Sequence, residues 1–295
     1  MSLLNSPAFL LFITGSLLGL TFPLGKLGSQ AGVSPVVWAF LFSGGASAGL
    51  LLYRLIGKKR LLVNVRNVPF YFIAATISLV LPNILTYRVI PELGSGFTGL
   101  MFTLSPLITL ALSSVWQVRM PGRLGLVGIA IGFTGAVIVA VTRGEVGNPA
   151  SIGWLLTGFG IPLCLAMGNV YRTMAWPENA EPMELAIGMN LAAASMLFVL
   201  VLILPQASLP GGLESIKLTA LITILVASVM IAMHSRLQFV GGPTYLSQIG
   251  YIAAGVALLI GMLVFGETYS WITWLGAFII LVGAALSMQA QKVKS

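Results

Sequence analysis

Asn83 and Tyr87 stand four residues apart, and Gln248 and Tyr251 three apart, so on a helix each pair shares one face. Amides and phenols inside an apolar run can do two things. They can bond a neighbouring helix, or they can line a cavity and hold a solute by hydrogen bonds. Thr21 and Asn169 repeat the theme, each a few residues before a cation, Lys26 and Arg172. Phe22, Phe102, Met101 and Met167 would supply apolar walls to such a cavity, or pack as core. His234 is the only histidine, and it reads either as a ring bonded between helices or as a cavity group able to carry a proton. Pro82, Pro106 and Pro162 interrupt apolar runs; each removes a backbone donor and kinks a helix, which suits gating as well as packing.

Chemistry beyond binding is poorly provided for. One histidine cannot make a His-Glu-x-x-His zinc site, and a chain without a single Asp has no aspartyl dyad. The one cysteine, Cys164, excludes an internal disulfide and a cysteine cage. No phosphate-binding glycine loop is present, and Ser95 and His234 fall at opposite ends of their runs. The expectation is therefore a protein that is not an enzyme and needs neither cofactor nor metal.

The elements that must position these residues are apolar throughout. Of 295 residues 58% are hydrophobic and 7% charged, against about 25% charged in a soluble domain, and the mean hydropathy is +1.01. Runs of about 20 apolar residues, the length of a membrane-crossing helix, recur from end to end. Ten spans are expected, at 7–28, 35–56, 69–90, 95–117, 123–142, 151–173, 183–204, 218–239, 243–265 and 271–290. The net charge of +8 does not call for nucleic acid. With the N-terminus inside, eleven basic residues fall on the inner side and four, Lys26, Arg88, Arg143 and Lys217, on the outer, which puts both termini in the cytoplasm. No cleavable signal is evident and the first span reads as retained.

A constant offset of 148 carries Arg88 to Arg236, Gly94 to Gly242, Gly128 to Gly276 and Gly135 to Gly283. The pattern predicts an all-α membrane protein of ten transmembrane helices in two five-helix repeats, 1–146 and 147–295. Five spans per repeat is odd, so the second repeat runs inverted. Gly128 and Gly132 lie four apart and permit close helix approach. All seven acids, Glu92, Glu145, Glu178, Glu181, Glu184, Glu214 and Glu267, fall in loops or at span ends. A carrier without a carboxylate at membrane depth reads as facilitative, or as coupled through His234.

The segments GLTFPLGK (19–26), GFTGLMFTLSPLITLALSSVW (96–116) and VFGETYSWITWLGAFIILVGAAL (264–286) resemble the EamA-type carriers of the drug/metabolite transporter superfamily, with QVRMPGRLGLVGIAIGFTGAVIV (117–139) a weaker echo of the last. The resemblance covers about residues 7 to 290. It implies a bacterial inner-membrane carrier working by alternating access, with a small-molecule substrate and the lipid bilayer as partners, and the two repeats would make the monomer complete. Within the superfamily the aromatic, weakly charged interior looks most like the YddG-type aromatic amino-acid exporters. The chain departs from the pattern at Val118-Arg119, where an acid is usual, and at Ala254, where a proline is frequent. The substrate implied is a small neutral amphipathic metabolite, an aromatic or other apolar amino acid, moved outward. The alternatives are another carrier cargo, such as a nucleotide sugar, drug or lipid precursor, and a membrane scaffold that transports nothing.

Overall fold

The computed structural model describes residues 5–57, 63–117, 122–142, 144–146, 148–204, 213–246 and 248–292. Twelve helical pieces make ten apolar spans. These are α1 (Pro7–Gln30), α2 (Pro35–Ile56), α3 (Val68–Ala75) running through a π-turn (Thr76–Val80) into α4 (Leu81–Leu93), and α5 (Ser95–Phe102) continued by α6 (Ser105–Val115). Then come α7 (Arg123–Thr142), α8 (Ile152–Met174), α9 (Pro182–Ile203), α10 (Leu213–Leu246), α11 (Ile249–Phe265) and α12 (Trp271–Lys292). Eight spans are long and apolar enough to cross a membrane, and the last two are shorter apolar helices. A two-residue antiparallel clasp, β1 (Gly144–Glu145) on β2 (Asn148–Pro149), sits in the α7–α8 joint.

Local chemistry sets the ends. The Ser6 and Ser34 hydroxyls accept from the N–H groups of Phe9 (3.4 Å) and Val37 (3.3 Å), each followed by a proline in the first turn. The joint expected near residue 242 lies elsewhere: Gly242 continues α10, and the next helix starts at Ile249 rather than 243. Pro243 does not stop the helix. Its fixed φ is a helical one, and in a packed membrane bundle the missing N–H is tolerated. Gly94 does break the chain, with φ +82, so these two positions of the offset differ in structure.

Successive spans alternate in direction. One end of the bundle, here the terminal end, carries Asn5, whose side chain accepts from Arg236, and the α8–α9 joint. The other, distal end carries the α1–α2, α4–α5, α7–α8 and α11–α12 joints, the last two tied to each other by Val146 N–H to the Thr268 carbonyl (2.8 Å). Around the interior α1 packs on α10 and α11, while α8 packs on α4, the π-turn and α6. Likewise α2 packs on α10 and α3 on α9, α2 meets α9, and α7 lies along α12. Leu126, Val137, Leu202, Leu263, Trp271 and Phe278 remain exposed on outward faces, as lipid-facing side chains would.

Candidate functional site

The distal end is closed by a carboxylate. Glu267, in the α11–α12 joint, is buried to 1% exposure. Its Oε1 accepts from Lys26 Nζ (2.6 Å), Ser95 N–H (2.8 Å) and the Ser95 hydroxyl (2.9 Å). Its Oε2 accepts from Gly96 N–H (3.1 Å) and from the Tyr269 hydroxyl. The carboxylate thus fills the N-terminus of α5, where backbone N–H groups lack helical partners and the dipole favours negative charge. Gly94 permits the approach: a Cβ there would stand 3.2 Å from the carboxyl carbon. Lys26 also lies 4.7 Å over the Phe265 ring. One side chain therefore joins α1, α5 and the α11–α12 joint.

Burial pushes the Glu267 carboxyl up, but Lys26, Tyr269 and the Ser95 and Gly96 N–H groups outweigh it and hold the group below the ordinary carboxylate value. A depressed folded value contributes stability that is present above the unfolded value and lost as pH falls through the folded one. Below the ordinary glutamate value of about 4.3, the melting temperature of the wild-type protein should fall more steeply than that of Glu267→Gln. Parallel acid profiles for the two would show that the carboxylate does not hold this joint.

The interior spans are broken at depth. Pro82 frees the Ser78 carbonyl, and the helix before it widens into the π-turn, with Leu81 N–H bonding the Thr76 carbonyl. Gly168 of α8 packs directly on the Ser78 side chain. Pro106 frees the Phe102 carbonyl, and α5 ends there in shorter bonds from Thr103 N–H to Leu100 (3.0 Å) and Leu104 N–H to Met101 (3.2 Å). Gly250 approaches that carbonyl; a Cβ on it would stand 3.3 Å from the Phe102 oxygen. Pro162 lies buried within α8.

The expected cavity residues divide. Phe22, Tyr87 and Met101 are fully packed: Phe22 meets Phe102 edge-on at 4.9 Å, Tyr87 lies against Gly25, and Met101 sits in a second core cluster with Leu93 and Phe97. The Thr21 hydroxyl bonds its own helix at the Leu18 carbonyl (2.6 Å). Asn83 Nδ2, the Tyr251 hydroxyl and the Ser78 hydroxyl are buried with no hydrogen-bond partner among the described residues. A buried unpaired polar group costs about 1–3 kcal/mol, so three of them beside interrupted helices need a reason. Gln248 caps the start of α11, its carbonyl accepting from Tyr251 N–H (3.1 Å).

Asn169 joins two partners: its Nδ2 donates to the Thr109 hydroxyl (3.1 Å), and its Oδ1 accepts from Arg172 Nη2 (2.5 Å). His234 is within electrostatic reach of Arg172. The sequence reading gave this interior no fixed charge; the structure attaches one to Asn169. Thr109 and Ser78 escaped the sequence reading because what they meet, Asn169 and Gly168, lies on another helix, and Arg172 stood out there only as a cation a few residues after Asn169. Glu267 left a fainter trace, as an acid beside Gly266 at a joint between two apolar spans. At the terminal end buried Glu184 accepts from Tyr71 (2.6 Å) and Asn67 (2.9 Å), joining α9 to α3.

Residues 5–141 match the EamA-like transporter family. The uncharacterized inner membrane transporter YedA of Escherichia coli strain K12 is 28% identical over 204 residues, which cover 65% of this chain and 61% of that protein. The same protein from strain O157:H7 matches to the same extent. The match thus spans 61% of the length of these relatives. A solved crystal structure superposes with a TM-score of 0.65 over 98% of this chain and 100% of its own, at 18% identity, a likeness of fold.

Proposed function

We propose that this chain is an EamA-type carrier of the bacterial inner membrane that moves a small amphipathic metabolite by alternating access. The aromatic and other apolar amino acids, exported as by the YddG-type carriers, are the first substrates to test. The observation that carries the reading is the pair of interior spans interrupted at depth, the π-turn before Pro82 and the break before Pro106, with Ser78 and Asn83 unpartnered beside the first. Broken helices at membrane depth, lined by polar groups, are how many carriers build a solute site. Asn83, Tyr251, Gln248, Asn169 and His234 line it in this proposal, with Thr21, Phe22, Tyr87 and Met101 behind them. Pro82, Pro106 and Pro162 are the flexing points, and the Glu267 cluster is the closed distal gate.

The two-repeat organisation is supported by the packing. Exchange the first five spans with the last five, and α1 on α10 becomes α8 on the α3–α4 span, while α1 on α11 becomes α8 on the α5–α6 span. Similarly α2 on α10 becomes α9 on α3. The pairs α2–α9 and α7–α12 map onto themselves. With 1–146 and 147–295 as inverted repeats, the monomer would be complete and both termini would face the cytoplasm.

The test is counterflow of labelled phenylalanine or tryptophan into proteoliposomes preloaded with the unlabelled amino acid, with and without a pH gradient. Exchange that needs no gradient is the expected result, and Asn83→Ala and Gln248→Ala should each slow it at least about tenfold, the effect of one lost hydrogen bond to a solute. Exchange only with a gradient would move the coupling to His234. Normal exchange by both variants would remove the site assignment, and no exchange of either amino acid would remove the substrate.

A further inference from the structure

A guanidinium stands among the amides and hydroxyls of the interior. Arg172 Nε donates to the Gly168 carbonyl (3.3 Å) and Nη2 donates to Asn169 Oδ1 (2.5 Å). A guanidinium carries five N–H donors. Among the described residues two are engaged, which leaves both on Nη1 and one on Nη2. That remaining edge is the one that grips a planar carboxylate through two parallel bonds. Its direction is fixed from both sides, by Gly168 and Asn169 of its own helix and by Thr109 of α6, which holds the Asn169 amide (3.1 Å).

Arg172 lies in the last turn of α8, where a cation suits the helix dipole, and the Gly168 bond lays its side chain back along its own helix. Neither explains the Asn169 bond, because the amide is a second orienting group that a terminal cation does not need. Among the described residues no carboxylate lies within ion-pair distance of Arg172. Glu267 is engaged with Lys26, and Glu184 with Tyr71 and Asn67. His234, within electrostatic reach, adds no negative charge.

We infer that the solute bears a carboxylate, which docks on the open Nη1–Nη2 edge of Arg172, and that the site makes no matching demand for an ammonium group. The inference rests on the carrier function proposed above. One fixed positive charge suits a monoanionic carboxylate, and the described interior offers no acid to receive an amine. Apolar monocarboxylates with and without an amino group are therefore the substrate class.

The purified full chain, in detergent and in liposomes, would be offered 3-phenylpropanoate, phenylalanine and phenethylamine. Equilibrium binding and counterflow are read separately. Both carboxylates should bind and phenethylamine should not. Arg172→Gln should weaken both carboxylates by roughly 30-fold or more, the effect of deleting one partner of a desolvated charge pair. Arg172→Lys should recover only part, because an ammonium lacks the fork. Should Arg172→Gln fail to fold, Asn169→Ala keeps the charge but unpins it, and should bind carboxylates less tightly. Phenethylamine binding as well as 3-phenylpropanoate, carboxylate binding indifferent to Arg172→Gln or, where that variant fails, to Asn169→Ala, or no binding by any probe would each overturn the inference. Carboxylate binding without counterflow would instead leave it standing and remove the carrier function.

Discussion

Glu267→Ala should lower the melting temperature of the detergent-solubilised protein more than any other side-chain truncation near the joints, at a cost of about 3–5 kcal/mol. The Glu267 side chain is fully buried and the Lys26 side chain is 15% exposed. Truncation removes five hydrogen bonds at once. Among the described residues it leaves Lys26 with only the Phe265 ring, and the first N–H groups of α5 with no acceptor. Removing one member of a buried ion pair is costly because the other charge stays desolvated. Replacing both members is a different experiment. Lys26→Met with Glu267→Gln exchanges a buried pair for neutral groups of similar size, which is often close to neutral. The double variant should therefore melt well above Glu267→Ala. Fluorescence-monitored unfolding of the variants decides it: a Glu267→Ala protein melting with the wild type would mean that α1, α5 and the α11–α12 joint are held together by packing alone.

The spans were legible because lipid imposes a simple rule on sequence. Twenty apolar residues in a row have one economical conformation at membrane depth, so all ten helices appear near their expected positions. Breaks were legible only where a residue has no alternative. Gly94 adopts a φ that side chains resist, and the chain breaks there; Pro243 accepts helical geometry, and α10 runs through it to Leu246. The site was legible as residue types and illegible as partnerships. Asn169 could be singled out as an amide in an apolar run, but its partners are Thr109, sixty positions away, and Arg172, which read only as a cation a few residues on. Tyr87 and Met101 look identical in sequence whether they line a cavity or fill a core, and here they are packed. Glu267 read as a loop acid because its burial depends on a cation 241 positions earlier.

Gly283→Val should be as damaging as the loss of Glu267, by a different route. A Cβ at Gly283 would stand 2.6 Å from the Gly128 carbonyl oxygen and 2.7 Å from Gly132 Cα. A Cβ at Gly135 would stand 2.7 Å from Ile280 N and 2.8 Å from the Gly276 carbonyl oxygen. These obstacles are backbone, so no side-chain rotation relieves them and α7 must part from α12. In lipid there is little hydrophobic force to hold the pair once close packing is lost, and overpacking of this severity costs about 3 kcal/mol or more. Gly255 has nothing within 4 Å of such a Cβ, and Gly44 only the edge of Phe40 at 4.0 Å. Alanine at either should be silent to within about 0.5 kcal/mol. Equal melting of Gly283→Val and the Gly255→Ala control would mean the seam is not a close contact. The seam also bears on the duplication. The offset that pairs Gly128 with Gly276 and Gly135 with Gly283 makes the Gly135–Gly276 and Gly128–Gly283 approaches two copies of one contact. Gly135→Val should then cost what Gly283→Val costs, and a large inequality between them would leave the two halves alike in sequence but not related by a two-fold axis.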